Sequence, residues 1–75
     1  MVILDVFDYN GKKAVYCKPD GELLKNISSK KAKINGRYYK ILKADIMKSL
    51  SGNIAITLLL DTDEKISTKQ NIYII

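Results

Sequence analysis

Lysine and tyrosine are the residue types of this 75-residue chain that could do chemistry together, and they meet in the segment KINGRYYK, residues 33–40. A lysine can neutralise a phosphate, and a tyrosine ring can stack on a nucleobase. The candidate ligand-binding residues are Lys30, Lys31, Lys33, Arg37, Tyr38 and Lys40, together with Tyr16 and Lys18 on an earlier segment. This mixture predicts a binding surface for an anionic ligand, either a nucleic acid or a nucleotide.

The residue types that most often carry catalysis or bind metals are scarce. The chain has no His, which removes the commonest general base and metal ligand, and its one cysteine is Cys17. The acidic segment DTDE, residues 61–64, lacks the spacing and the closing glutamate of a calcium loop, and no glycine-rich phosphate loop is present. We therefore expect a protein that is not an enzyme, with no catalytic residues, metal site or cofactor.

The net charge of +5 has two explanations, which the composition alone leaves open. Thirteen basic residues against eight acidic ones suit a nucleic acid, an acidic protein or an anionic surface as partner. Abundant Lys, Ile, Asn and Tyr beside a single Arg is also what an A/T-rich genome produces by codon bias. Phosphate sites often use the fork of an arginine, and here only Arg37 could supply one.

Short β-strands are the elements that must position these side chains, because no segment shows sustained helical periodicity. Alternating apolar patterns predict strands over residues 2–8, 12–18, about 22–27, 32–34, 37–46, 54–60 and 71–75. The segments between them contain turn residues, including KPDGE at residues 18–22. Two of the turns are Asn-Gly pairs, which are typical of two-residue hairpins.

The first hairpin turns at Asn10-Gly11 and sets a register along its two strands. Tyr9 should pair with Lys12, and Leu4 should pair with Cys17. One face of this hairpin then forms core, with Val2, Leu4, Val6, Val15 and Cys17. The opposite face carries Ile3, Asp5, Phe7, Tyr9, Lys12, Ala14, Tyr16 and Lys18.

The second hairpin turns at Asn35-Gly36 and separates the two adjacent tyrosines. Its register pairs Lys33 with Tyr38 and Ala32 with Tyr39, so Tyr39 points inward and Tyr38 points outward among lysines. Lys31 then lies opposite Lys40, a like-charge pair that should cost stability. The apolar alternation changes phase at residues 41–42, which predicts a bulge in the following strand.

These strands and turns predict an all-β protein, a small five- to six-stranded antiparallel barrel or roll with little or no helix. It would be SH3-like, OB-like or of the translation-factor type, and residues 1–75 would form one domain. The phrase INGRYYKILKAD…SGNIAITLLLD…EKI…NIYII resembles the small β-barrel domains of translation factors. That resemblance covers about half of the chain and rests on alternation and turns, so it implies a fold and no functional residue.

The expected partners and location follow from the same features. No signal peptide and no apolar run of membrane length occurs, so we expect a cytoplasmic protein with no membrane partner. The apolar end IYII must pair within the barrel or with another copy, and so small a domain would gain core by forming a homo-oligomer. The alternative function is a protein-interaction or inhibitor module, acting as a homo-oligomer on an acidic protein surface. The length and composition would suit a phage or mobile element.

Overall fold

The computed structural model describes residues 1–19 and 31–75 and shows six strands in one curled sheet. They are β1 (Val2–Tyr9), β2 (Lys12–Lys18), β3 (Lys31–Ile34), β4 (Arg37–Lys48), β5 (Ile54–Leu60) and β6 (Ile72–Ile74). All neighbours are antiparallel, in the order β1-β2-β5-β4-β3-β6, and the sheet forms a half-barrel. The described residues contain no helix, so the prediction of a small all-β barrel or roll is confirmed.

Some predicted features lie outside the described residues. They are the strand at 22–27, most of the turn at 18–22, and Lys30. In the part of the chain that the structure describes, no apolar helix has the length that crossing a bilayer requires.

Both Asn-Gly turns adopt the backbone that their sequences predict. The φ angles are 49° and 76° at Asn10 and Gly11, and 51° and 79° at Asn35 and Gly36. Positive φ at both central positions is the signature of the type I′ turn, whose twist matches that of the flanking strands. The predicted register of the second hairpin is confirmed along its whole length, including the pair of Lys31 and Lys40.

A bulge in β1 contradicts part of the predicted core. The β1–β2 register shifts between Ile3 and Asp5, so Leu4 is an extra residue and Ile3 lies opposite Cys17. Ile3 is fully buried, whereas Leu4 is 48% exposed and Val2 is also exposed. The prediction that Val2 and Leu4 belong to the core, and Ile3 to the other face, is therefore wrong. One bulged residue exchanges the two faces for the residues on the side away from the turn, which here are Val2 and Ile3.

A second bulge lies in β4, at the position where the sequence predicts a phase change. Ile41 lies opposite Leu60 and Lys43 lies opposite Leu59, so Leu42 is the extra residue. Residues 37–40 of β4 pair with β3, and from Ile41 onward, on both sides of the bulge, β4 pairs with β5. A bulge bends its strand, so this one lets a single long strand serve both parts of the curled sheet.

Backbone hydrogen bonds join the two edges of the sheet at one end. The Ile3 amide donates to the Gln70 carbonyl at 2.9 Å, and the Lys69 amide donates to the Ile3 carbonyl at 2.8 Å. The Ile72 amide donates to the Met1 carbonyl at 2.8 Å, and the Met1 ammonium donates to the Ile72 carbonyl at 3.0 Å. Since β6 also pairs with β3, the apolar C-terminal segment finds its partners within the chain.

The core lies on the inner side of the curl. Its buried side chains are Met1, Ile3, Val15, Cys17, Ala32, Ile34, Ile41, Ile56, Leu58, Leu60, Ile66 and Ile72. Burial raises the pKa of the Cys17 thiol to about 11, so the side chain is a neutral packing group at physiological pH. Its predicted core position is confirmed.

The β1 bulge predicts unequal effects of two neighbouring substitutions. Ile3→Ala should lower the free energy of unfolding by about 2–5 kcal/mol, because it leaves a cavity in the core. Leu4→Ala should change it by about 0.5 kcal/mol or less, because Leu4 is exposed. Urea unfolding followed by circular dichroism measures both, and the milder Ile3→Val serves if Ile3→Ala does not fold. A loss of stability that is larger for Leu4→Ala than for Ile3→Ala would contradict the bulge.

Candidate functional site

The outer face of the β6-β3-β4 corner gathers lysines and tyrosines. Lys33 lies opposite Tyr73 on β6 and opposite Tyr38 on β4, so these three residues form one row across the strands. Lys31 and Lys40 lie opposite each other in the next row on the same face. We call these five residues the Lys/Tyr face. Both tyrosines are 58% exposed, so part of each side chain is accessible to a ligand.

The positive charge of this face is not compensated within the described residues. None of Lys31, Lys33 and Lys40 forms an ion pair there. The Nζ atom of Lys33 lies 5.6 Å from the centroid of the Tyr38 ring, which is within the range of a cation–π contact. Lys31 and Lys40 are like charges directly opposite each other, an arrangement that destabilises a strand pair. An anion bound here would relieve that repulsion.

Tyr73 is a member of this face that sequence reasoning missed. Its neighbours Ile72 and Ile74 face the core, so alternation alone places Tyr73 on the outside. The pattern of NIYII does not show which strand β6 joins. Only the pairing of β6 with β3 places Tyr73 beside Lys33.

Arg37 lies away from the Lys/Tyr face, in an ion pair at the rim of the inner side. Its Nη1 atom donates to Oε2 of Glu64 at 2.8 Å, and the Tyr39 hydroxyl donates to the same oxygen at 2.9 Å. These two hydrogen bonds, first that of Tyr39 and then that of Arg37, lower the pKa of Glu64. Hydrogen bonding to Glu64 raises the pKa of Arg37. The charge of Arg37 is thus engaged within the protein.

Burial, followed by the hydrogen bond to Glu64, raises the pKa of Tyr39. The three groups therefore stay in their hydrogen-bonded ionisation states over the neutral pH range. They connect the β3–β4 hairpin to the segment between β5 and β6, and they line a cleft of about 580 Å³.

Tyr16 and Lys18 lie on the outer face of the other part of the sheet. Tyr16 is opposite Asp5 on β1 and Thr57 on β5, and Asp45 continues the same row on β4. Asp45 is seven residues beyond Tyr38, which corresponds to about 20 Å along a strand. The acidic residues in the row of Tyr16 are unfavourable for a phosphate. Tyr16 and Lys18 instead line an open groove of about 550 Å³ beside the loop between β4 and β5.

The structure therefore places only some of the predicted site residues together. It brings together Lys31, Lys33, Tyr38 and Lys40, and it adds Tyr73. Arg37, Tyr16 and Lys18 lie elsewhere, and Lys30 is outside the described residues. Among residues 1–19 and 31–75, no group of three His, Cys, Asp or Glu side chains could hold a metal ion.

Comparison with known proteins gives no relative from which a function could be transferred. No protein-family model, no curated protein and no solved structure matches the chain. The function must therefore be inferred from the geometry and charge of the Lys/Tyr face.

The hydrogen bonds that Glu64 accepts from Arg37 and Tyr39 predict that part of the free energy of unfolding is lost at acid pH. A carboxylate whose pKa is lowered by folding stabilises the fold above its unfolded pKa, near 4.5, and this contribution is lost as the pH falls through the folded pKa. The wild type should therefore be more stable than Glu64→Gln at pH 7, and the difference should shrink towards about pH 3. Urea unfolding at both pH values measures it.

A matched control is Asp63→Asn, which removes a neighbouring carboxylate that forms no ion pair within the described residues. Its stability should follow that of the wild type at both pH values. The same stability difference between wild type and Glu64→Gln at pH 7 and pH 3 would contradict the role of Glu64.

Proposed function

We propose that this protein is a non-catalytic binding module for an anionic ligand, a nucleic acid or a nucleotide, which it holds on the Lys/Tyr face. One observation carries the proposal. Three lysines without an ion-pair partner in the described residues share a single sheet face with two exposed tyrosine rings. The lysines attract phosphate, and the rings offer flat apolar surface to bases.

Four other cations of the described residues form ion pairs, whereas Lys18, Lys48, Lys65 and Lys69 form none there. Lys12 pairs with Asp61, Lys13 with Asp8, Arg37 with Glu64 and Lys43 with Asp45. Of the seven lysines without an ion pair in the described residues, the three on the Lys/Tyr face share it with two exposed tyrosine rings. The local arrangement, more than the total of +5, favours a phosphate-bearing ligand.

The backbone beneath the face favours binding because it is held from two sides. The type I′ turn at Asn35-Gly36 fixes β3 against β4, and β6 pairs with the other edge of β3. Strand pairing fixes the backbone positions of these residues, so binding requires ordering of side chains but not of the backbone. The face is thus carried by a backbone that is already ordered.

The proposal predicts that charge position matters more than total charge. The double variant Lys31→Gln/Lys40→Gln should bind a labelled oligonucleotide more weakly than wild type at about 50 mM salt. The slope of log K against log salt should become shallower by about 0.7–0.9 for each phosphate that the variant no longer neutralises. Fluorescence anisotropy across a salt series measures both quantities.

The matched control is Lys18→Gln/Lys48→Gln, which lowers the net charge by the same two units on the other part of the sheet. It should leave affinity near the wild-type value. Removing the opposed pair Lys31 and Lys40 should not weaken the fold, because like charges no longer face each other. Equal loss of affinity in both double variants, or no binding of nucleic acid or nucleotide by the wild type, would overturn the proposal.

A second candidate function is a protein-interaction module that works as a homo-oligomer. The observation that favours it is a set of exposed apolar side chains on the outer face of the β1-β2-β5-β4 part, where Leu4, Phe7 and Met47 are each about half exposed. Exposed apolar surface of this kind is typical of protein contacts, and a second copy would add core to a small chain. In this alternative the Lys/Tyr face contacts an acidic protein surface.

This candidate predicts a change in oligomeric state on one substitution. Phe7→Lys should shift a homo-oligomer to monomer, because a charge would be placed in the apolar contact. Leu50→Lys is the control, since Leu50 is fully exposed in the loop after β4. Sedimentation velocity of the three proteins measures the effect. A wild type that sediments as a monomer would exclude the homo-oligomer.

A further inference from the structure

The Lys/Tyr face has two parallel rows whose spacing restricts the ligand. Neighbouring strands lie about 4.8 Å apart, so Tyr38 and Tyr73, which are two strands apart, are separated by about 10 Å at the backbone. The row of Lys31 and Lys40 lies two residues along the strands, about 7 Å away. Rings therefore follow one line across the sheet, and cations follow a second line beside it.

This spacing is unsuitable for a duplex. Successive bases in one strand of a duplex are about 3.4 Å apart, and their faces are covered by their neighbours. Two rings about 10 Å apart cannot each receive a base face from such a stack. A mononucleotide cannot use both rings either, because its single base can stack on only one tyrosine. A single strand with unstacked bases can use both rings at once.

We propose that the Lys/Tyr face binds single-stranded nucleic acid that crosses β4, β3 and β6. One base stacks on Tyr38 and another stacks on Tyr73, while the phosphates follow the row of Lys31 and Lys40. This inference rests on the proposed function and names its ligand. Lys33, between the two rings, supplies positive charge to the strand that joins the two stacked bases.

The number of phosphates that the face can contact follows from the number of cations in its two rows. In the lysine row the place next to Lys31 is taken by Ile75, directly after β6, whose backbone exchanges hydrogen bonds of 2.9 and 3.2 Å with Lys31. The row therefore offers two cations, and Lys33 adds a third from the ring row. Two or three phosphate contacts correspond to a salt slope of roughly −1.4 to −2.1 for single strands. Stacking accepts every base, so we expect little sequence preference.

The test compares ligands and ring substitutions in one assay. Labelled octathymidylate should bind the wild type more tightly than a duplex of the same length, by roughly tenfold or more. Thymidine monophosphate should compete only weakly. Tyr38→Leu and Tyr73→Leu should each weaken binding of the single strand by roughly 5- to 150-fold, the effect of removing one stacked base. Tyr→Phe at either position should retain binding, because the ring remains.

The control for the rings is Tyr9→Leu, since Tyr9 is as exposed as Tyr38 but lies at the end of β1. It should leave affinity unchanged, and circular dichroism should show all variants folded. Two outcomes would overturn the single-strand inference and leave the proposed function standing. The first is equal binding of duplex and single strand. The second is that the ring substitutions have no effect while Lys31→Gln/Lys40→Gln still weakens binding. If none of the three probes binds, both the single-strand inference and the proposed function are overturned.

Discussion

Strand register is the constraint on which both the core and the Lys/Tyr face depend. Side chains alternate between the two faces of a sheet, so a shift of one residue would exchange them. In the present register Ala32 and Ile34 face inward while Lys31 and Lys33 face outward. Burial of the first pair therefore fixes the exposure of the second. The positions of the cations are a consequence of packing the apolar residues of the same strand.

Two bulges allow so short a chain to curl around a core. The bulge at Leu42 bends β4 between its two partners, and the bulge at Leu4 turns Ile3 inward at the start of β1. Ile3 then bonds through its backbone to residues 69 and 70, which brings the edges of the sheet together. β6 also pairs with β3, which places Tyr73 beside Lys33.

The distribution of charge has more meaning than its sum. Acidic residues neutralise the cations at the β1–β2 hairpin, at the hairpin rim and in the middle of β4. The β6-β3-β4 corner, within the described residues, has cations without such partners, and its exposed aromatic rings lie in the adjoining row. Electrostatic attraction and stacking are therefore available at the same place, which is the combination that single-stranded ligands require.

The sequence by itself determined whatever depends on local backbone preference. Asn35-Gly36 accepts positive φ at both positions, so the turn fixes the register of the hairpin and separates Tyr38 from Tyr39. The bulge at Leu42 could be predicted from the change in apolar alternation at residues 41–42. Tertiary structure decided the rest. Val2, Ile3 and Leu4 are all apolar, so only packing could choose which one faces inward. The partners of Arg37 and Tyr73 come from distant segments, and pairing between such segments depends on closure of the whole sheet.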